Sequence, residues 1–343
     1  MSVHGFTSFS FAYLPKARVL ARTWKKHHPD WPIWAVITDV EPDGFEFDLE
    51  SEDFDHVIWA HDLFADVGER WFFCHDVVEA CTAVKGRALK HILGQEDCEK
   101  LFYLDPDIAI FSSLAPLADL LDGASIILTP HQVDPDTEPA AIRDNEIASL
   151  HYGTFNLGFL GVRYDPTTAA FADWWENRLQ DWCHDRLDIG VFVDQKWCNL
   201  IPAFFDNVKI IRDPGYNVAS WNLSQRLIKI GSDGRITVNG SLLRFYHFTK
   251  LGPIGDTMTQ RYAGDNIAVY EIWAWYRHMV ARNQEDRIPD GYWYYGRFDD
   301  CTEISKDMRE LYRSRPDLDA FPKPRRTGDG SFLQWLRVNS ELG

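Results

Sequence analysis

Residues 101–111 read LFYLDPDIAIF. The run is almost wholly apolar, yet it carries two acids near its middle, Asp105 and Asp107, with Pro106 between them. Along an extended chain, side chains two apart project to the same side. A buried strand here would therefore end by pointing two carboxylates in one direction. Like charges held that close need a counter-charge, and hard cations such as Mn2+ or Mg2+ prefer carboxylate oxygen and bridge readily to phosphates. The same tripeptide also suits a turn, in which one Asp caps the backbone and the other faces water. Its place at the end of a short apolar strand favours the metal.

The flanking segments supply a sheet for that strand. VHGFTSFSF (3–11) roughly alternates and reads as a strand, and so do WPIWAVITD (31–39) and HVIWAHDLF (56–64). Between the first two, Leu14, Ala17, Ala21 and Trp24 recur at helical spacing. Residues 76–93, DVVEACTAVKGRALKHIL, have the same spacing and stop at Gly94. The order strand, helix, strand, strand, helix, strand predicts a three-layer α/β sandwich. In such sheets ligands bind at the carboxyl ends of the strands, where Asp105 and Asp107 lie.

Beyond residue 110 come a strand in ASIILTPH (124–131), a glycine-containing strand in GTFNLGFLGV (153–162) and a long helix in TTAAFADWWENRLQDWC (167–183). From about residue 254 the chain turns to charged and aromatic helical stretches. We expect a main domain over 1–253 and a helical C-terminal extension over 254–343 packed on it. No internal repeat or low-complexity tract interrupts either.

Composition narrows the function. At 343 residues with 45% apolar residues, 14 Trp and 22 Phe, the chain builds a sizeable core. A formal net charge of −17 argues against nucleic acid or an anionic membrane surface as a main partner. A polyanionic ligand would need a metal or well-placed cations. The six cysteines show no CxxC pair and read as reduced thiols of a cytosolic protein. There is no basic leader with a cleavage site, and no apolar run approaches roughly 18 residues. The expectation is a cytoplasmic protein without an integral membrane segment, at most peripheral at the inner membrane.

Several other residues carry candidate chemistry. His247 ends a strand in LLRFYHFTKLGP (242–253) and Lys250 follows three residues later, a pair able to complete a metal site and touch a phosphate. Taken alone, His247 equally suits an aromatic cluster. Asn156 and Gly158 sit in a strand, Asp194 and Gln195 between an apolar run and a helical one, and Lys85 inside the second helix. Each has a plain structural reading: a cap, close backbone packing, or for Lys85 a solvated surface. Trp221 and Asn222 precede the YHF strand and suit a cleft wall, while DGYWYYGRF (290–298) reads as a packed hairpin of aromatics or an acceptor surface.

Taken together and in order, FTS with Tyr13, EACTAVKGRALKHIL, YLDPDI, FNLGFLGV, FVDQKW and YHFTK resemble the GT-A fold nucleotide-sugar glycosyltransferases. Retaining glycosyltransferase family 8 is the nearest type, and the resemblance covers roughly residues 3–253. It implies a Rossmann-like three-layer α/β/α sandwich with a mixed sheet. It implies Mn2+ (or Mg2+) held by Asp105, Asp107 and His247 on a donor diphosphate. Donor contacts fall on Thr7, Ser8, Tyr13, Lys85, Asp105, Asn156 and Lys250, with Asp194 and Gln195 at the transferred sugar. Implied partners are a nucleotide sugar, UDP-linked by preference, and a glycan or glycolipid acceptor, in the setting of bacterial surface polysaccharide synthesis. The chain departs from the family in its first strand, which lacks the usual nucleoside-binding Asp or Asn, and in its closing motif, where His247-Phe-Thr-Lys250 precedes Gly252-Pro253. Competing readings are a metal-dependent nucleotidyltransferase or phosphohydrolase, and a non-catalytic carbohydrate-binding protein of the same fold. The first is weakened because FTSFSFAYLPKAR (6–18) has no glycine for a phosphate loop.

Overall fold

The computed structural model describes residues 2–340 and 342. The main elements are β1 (Val3–Phe9), α1 (Leu14–His27), β2 (Ile33–Ile37), β3 (His56–Trp59), α2 (Val77–Leu93), β4 (Lys100–Leu104), β5 (Ile108–Ile110), β6 (Ile126–Pro130), β7 (Phe155–Arg163) and α3 (Pro166–Trp182). They continue as β8 (Val208–Ile210), β9 (Val218–Ala219), β10 (Phe245–His247), α4 (Pro253–Ala263), α5 (Ile267–Arg282), α6 (Lys306–Ser314) and α7 (Phe332–Asn339). Short helical turns and small antiparallel hairpins fill the connections.

Seven strands form one mixed sheet in the order β8-β6-β7-β4-β1-β2-β3. All neighbours run parallel except β7, which is antiparallel to both β4 and β6. β1 and β4 are buried along their whole length, as central strands covered on both faces must be. α2 and α3 cover one face through Val84, Leu89, Phe171 and Trp175 against Phe6, Tyr103 and Leu160. α1 covers the other, with Leu14, Leu20 and Trp24 against Phe9, Ile33 and Ile37. The layered α/β arrangement is therefore as expected. α2 starts where Asp76 accepts from the Val78 and Glu79 N–H groups while Glu79 accepts from Asp76 N–H, a reciprocal cap. It crosses α3 so closely that a Cβ on Gly86 would lie 2.8 Å from Glu176 Cα.

Residues 101–111 are two strands and not one. The chain turns at Asp105-Pro106-Asp107, with Ile108 N–H donating to Asp105 C=O at 3.0 Å, and β5 joins a second sheet, β9-β10-β5. The two carboxylates meet because of that turn, not through strand alternation, since proline disfavours a continued central ladder. The third strand also stops early, at Trp59, and residues 60–63 are helical. DGYWYYGRF is a turn with a single 3-10 segment at 294–296, not a hairpin; Tyr295 is buried and stacks on Phe72 at 4.8 Å.

Residues beyond 253 form helices laid on the sheet layers. α5 buries Val269, Ile272, Trp273 and Tyr276 against Val19, Tyr246 and Phe248, while α6 and α7 pack around Phe73 and Phe298. No helix among the described residues is long and apolar enough to cross a membrane.

Candidate active site

Asp105 follows the C-terminal end of β4, and its N–H donates to Gly158 C=O of the antiparallel neighbour β7 at 2.9 Å. That pairing sets Asn156 and Gly158 beside the turn. The second sheet supplies the remaining part: β10 pairs with β5 so that His247 faces Ile108, and Phe248 N–H donates to Asp107 C=O at 2.8 Å. Residues 140 positions apart thus become neighbours through one strand register.

His247 Nε2 lies 3.0 Å from Asp107 Oδ1 and 3.6 Å from Asp105 Oδ2. One ligand atom from each of the three residues falls within 4.8 Å of the others. A cation with bonds of about 2.1 Å in octahedral geometry needs adjacent ligands about 3 Å apart. The separations suit a cation held by two carboxylate oxygens and one imidazole. Asp105 divides its oxygens: Oδ1 accepts from Tyr103 O–H at 2.5 Å and from Lys85 Nζ at 3.2 Å, leaving Oδ2 for the cluster.

Two like charges about 4 Å apart repel by about 1 kcal/mol in water and several-fold more in a low-dielectric site. The protein offsets this with buried cations. Lys85, only 2% exposed, reaches Asp105, Asp194 Oδ2 at 2.8 Å and Leu157 C=O at 3.3 Å, over the Tyr103 ring. Burial alone lowers its pKa, but Asp105 and Asp194 outweigh that and hold the ammonium well above its usual value. Burial likewise pulls the His247 imidazole down, and Asp107 followed by Asp105 raises it overall. Asp107 is the counterpart: burial pushes its carboxyl up, and His247 beside it leaves it lowered.

Asn156 organises the second layer. Its Oδ1 accepts from Gly158 N–H (3.1 Å) and Asn217 Nδ2 (3.0 Å) and meets His247 Nδ1 at 3.2 Å. Its Nδ2 donates to Gln195 Oε1 and faces His131 Nε2. Gln195 Oε1 also accepts from Leu157 N–H, and Gln195 Nε2 donates to Tyr152 C=O. A Cβ on Gly158 would stand 2.5 Å from the His247 ring, so only glycine allows the imidazole its place. Trp221 lies edge-on to His247 at 5.2 Å, at the wall of the cluster; Asn222 instead caps the local backbone from Ala219 to His131.

Asp105, Asp107, His247, Lys85, Asp194, Asn156 and Gln195 therefore come together. The other named residues are arranged differently. Ser8 faces α2, donating to Cys81 C=O at 2.6 Å, so Thr7 points to the opposite sheet face, fully buried and without a hydrogen-bond partner. Tyr13 is 38% exposed at the cluster's edge. Lys250 is exposed on the turn after β10, in left-handed backbone (φ 54°), outside the hydrogen-bonded cluster.

Sequence reasoning missed Tyr103, His131 and Asn217. Tyr103 was findable, since it sits on β4 two residues before Asp105. His131 closes β6 at the carboxyl edge, which is itself a signal. Asn217 carried no local sign of its neighbours.

No protein-family model matches the chain. It is 29% identical over 177 residues to uncharacterized protein YfnF of Bacillus subtilis (strain 168), covering 51% of this chain and 57% of that protein. It is 26% identical over 263 residues to uncharacterized protein YfnD of the same organism, covering 72% and 77%. The chain thus spans little more than half the length of the first of these relatives. Among solved structures it is similar to the galactosyltransferase LgtC in complex with donor and acceptor sugar analogs, at 15% identity, over 84% of this chain and 98% of that one, with a TM-score of 0.44. It is also similar to mouse xyloside xylosyltransferase 1 in its apo form, at 12% identity, over 74% and 99%, with a TM-score of 0.42.

Proposed function

We propose that the chain is a metal-dependent glycosyltransferase of the GT-A type, moving a sugar from a nucleoside diphosphate donor to a glycan or glycolipid hydroxyl. In this reading residues 1–253 are the catalytic unit and 254–343 a helical extension, and bacterial surface polysaccharide synthesis is the setting. The observation that carries the proposal is the convergence of Asp105 Oδ2, Asp107 Oδ1 and His247 Nε2 at the carboxyl edge of the sheet, with the buried Lys85 behind them. A bound Mn2+ or Mg2+ would supply Lewis-acid stabilisation of the charge that grows on the departing diphosphate.

The chain's own residues do the rest. Lys85 and Tyr103 hold Asp105 in one orientation, so its free oxygen is preorganised. Asp194 is tied to Lys85, and Gln195 Oε1 is taken by two N–H donors, so neither presents a free base or nucleophile. That arrangement favours an acceptor hydroxyl attacking from the face the leaving group vacates, with retained configuration. We place Gln195 nearest the transferred sugar.

The test is release of nucleoside diphosphate from a panel of UDP-, GDP- and dTDP-sugars, with and without Mn2+. Metal-dependent release from one donor class, accelerated by a glycan acceptor, is expected. Binding without turnover would favour a carbohydrate-binding protein, and cleavage of inorganic or nucleotide phosphates alone a phosphohydrolase; either result overturns the proposal.

A further inference from the structure

A second cleft, of about 560 Å3, opens between α1 and the helices beyond residue 253. Its walls are α1, the residues that follow β5, the antiparallel ribbon of residues 228–242 and α5. The Asp105–Asp107–His247 cluster lies before β5 and this cleft after it, so three residues of strand, about 10 Å, separate them. None of the residues that line it takes part in the cluster.

The lining is of two kinds. Phe111 and Trp275 form a half-buried aromatic pair with ring centres 5.2 Å apart, and Ile230 and Leu242 on the same cleft stay 41% and 37% exposed. Apolar groups gathered in one concave site and left open to water mark a binding surface. Polar groups without partners share the cleft. The Trp275 indole N–H, the Ser112 hydroxyl, the Lys26 ammonium and the Glu271 carboxylate make no hydrogen bond or ion pair among the described residues. Other charges cancel locally, Arg22 with Asp53 at 3.2 Å and Arg235 with Asp233 at 3.1 Å. His27 adds none, since burial and then Lys26 lower its imidazole. The free cation and the free carboxylate therefore balance over an aromatic floor.

A polyanion would meet too little positive charge here, and a lipid chain would leave the polar rim unpaired. A sugar ring answers both parts of the lining. Its C–H face lies on an aromatic ring, and its hydroxyls both donate and accept. We propose that this cleft binds a neutral oligosaccharide, with Trp275 as the platform and Lys26, Ser112 and Glu271 bonding to its hydroxyls. That this glycan is the far end of the acceptor chain rests on the glycosyltransferase reading; the site itself rests on the cleft. A chain held there raises the local concentration of its reacting end and leaves the chemistry to the metal cluster.

The experiment screens the full chain, without metal or nucleotide, against an array of neutral, uronic-acid and sulfated oligosaccharides. Binding to neutral glycans is expected. For the glycan bound best, calorimetry should show about a tenfold loss in Trp275→Ala and a severalfold loss in Glu271→Gln. Glu271 is exposed, so its variant reports on the site without disturbing the fold. No binding to any neutral glycan, selection of sulfated glycans alone, or unchanged affinity in both variants overturns the site. The acceptor assignment is read from Mn2+-dependent release of nucleoside diphosphate in the presence of that glycan. The KM for the glycan should rise about tenfold in Trp275→Ala while kcat is kept. A bound glycan that does not accelerate release overturns the acceptor assignment and leaves the site standing. A chain that turns over no donor sinks the functional reading, and the array still decides the cleft.

Discussion

Asn156 Oδ1 stands 3.2 Å from His247 Nδ1, and this contact decides which face of the imidazole can meet a cation. The amide orientation follows from its partners. Gly158 N–H and Asn217 Nδ2 are both donors, so the atom they share must be oxygen. His247 Nδ1 therefore carries a hydrogen, and the Nε2 lone pair is free toward Asp105 and Asp107 once the ring is neutral. Second-layer partners of this kind typically tune metal affinity by about 10–100-fold. Asn156→Ala is expected to lower Mn2+ affinity by that order in a calorimetric titration. A change below twofold would mean that the ring is oriented by packing alone.

Lys85 yields a stability prediction. Removing one partner of a buried charge network leaves the others uncompensated, at a cost of about 3–5 kcal/mol. Lys85→Met should lower the urea unfolding free energy by that order, because Asp194 is as deeply buried as Lys85 itself. The double variant Lys85→Met/Asp194→Asn should recover part of the loss. Simple additivity of the two single effects would show that the pair is not coupled.

Gly158→Ala places a methyl where the His247 ring now sits, 2.5 Å from two of its atoms. Overpacking of this kind costs about 1–3 kcal/mol. The seven-stranded sheet should survive by far-ultraviolet circular dichroism, while Mn2+ binding falls at least as far as in Asn156→Ala. Retained Mn2+ affinity would exclude His247 as a ligand.

Asp39 predicts a pH effect away from the Asp105–Asp107–His247 cluster. It lies two residues beyond β2, is almost wholly buried, and accepts from the N–H groups of Phe11, Val40 and Tyr294. Burial pushes its carboxyl up to about 7, against the lowering effect of those three bonds. A carboxyl raised in the folded state contributes stability that is full below its unfolded value near 4 and lost as pH rises through 7. Stability should therefore fall between pH 4 and 7 by about 1.4 kcal/mol per unit from this group. Thermal midpoints of Asp39→Asn should vary less steeply over that window than wild type; equal slopes would refute the assignment.

Much of the layered architecture was legible in local pattern. The 3.6-residue spacing of Leu14, Ala17, Ala21 and Trp24 marks α1, helical spacing up to Gly94 marks α2, and the apolar run before Asp105 marks a central strand. These are signals among near neighbours in the chain, where side-chain direction follows directly from backbone period. DGYWYYGRF was misread as a hairpin for a related reason: its aromatics pack onto Phe72 and the backbone N–H of Tyr294 is anchored by Asp39, contacts made more than 200 residues away.

Adjacent carboxylates at a strand end, and the helices and strands around them, were written in the order of residues, because each depends only on spacing along a few turns of chain. What that order left open was the meeting of His247 with Asp107, the burial of Lys85 and the exposure of Lys250 outside the cluster. Those depend on one register between β5 and β10, on the crossing of α2 over the sheet and on α5 docking against α1. Such contacts arise when separate apolar faces find one common core, and a linear pattern specifies the faces but not the partner each one meets.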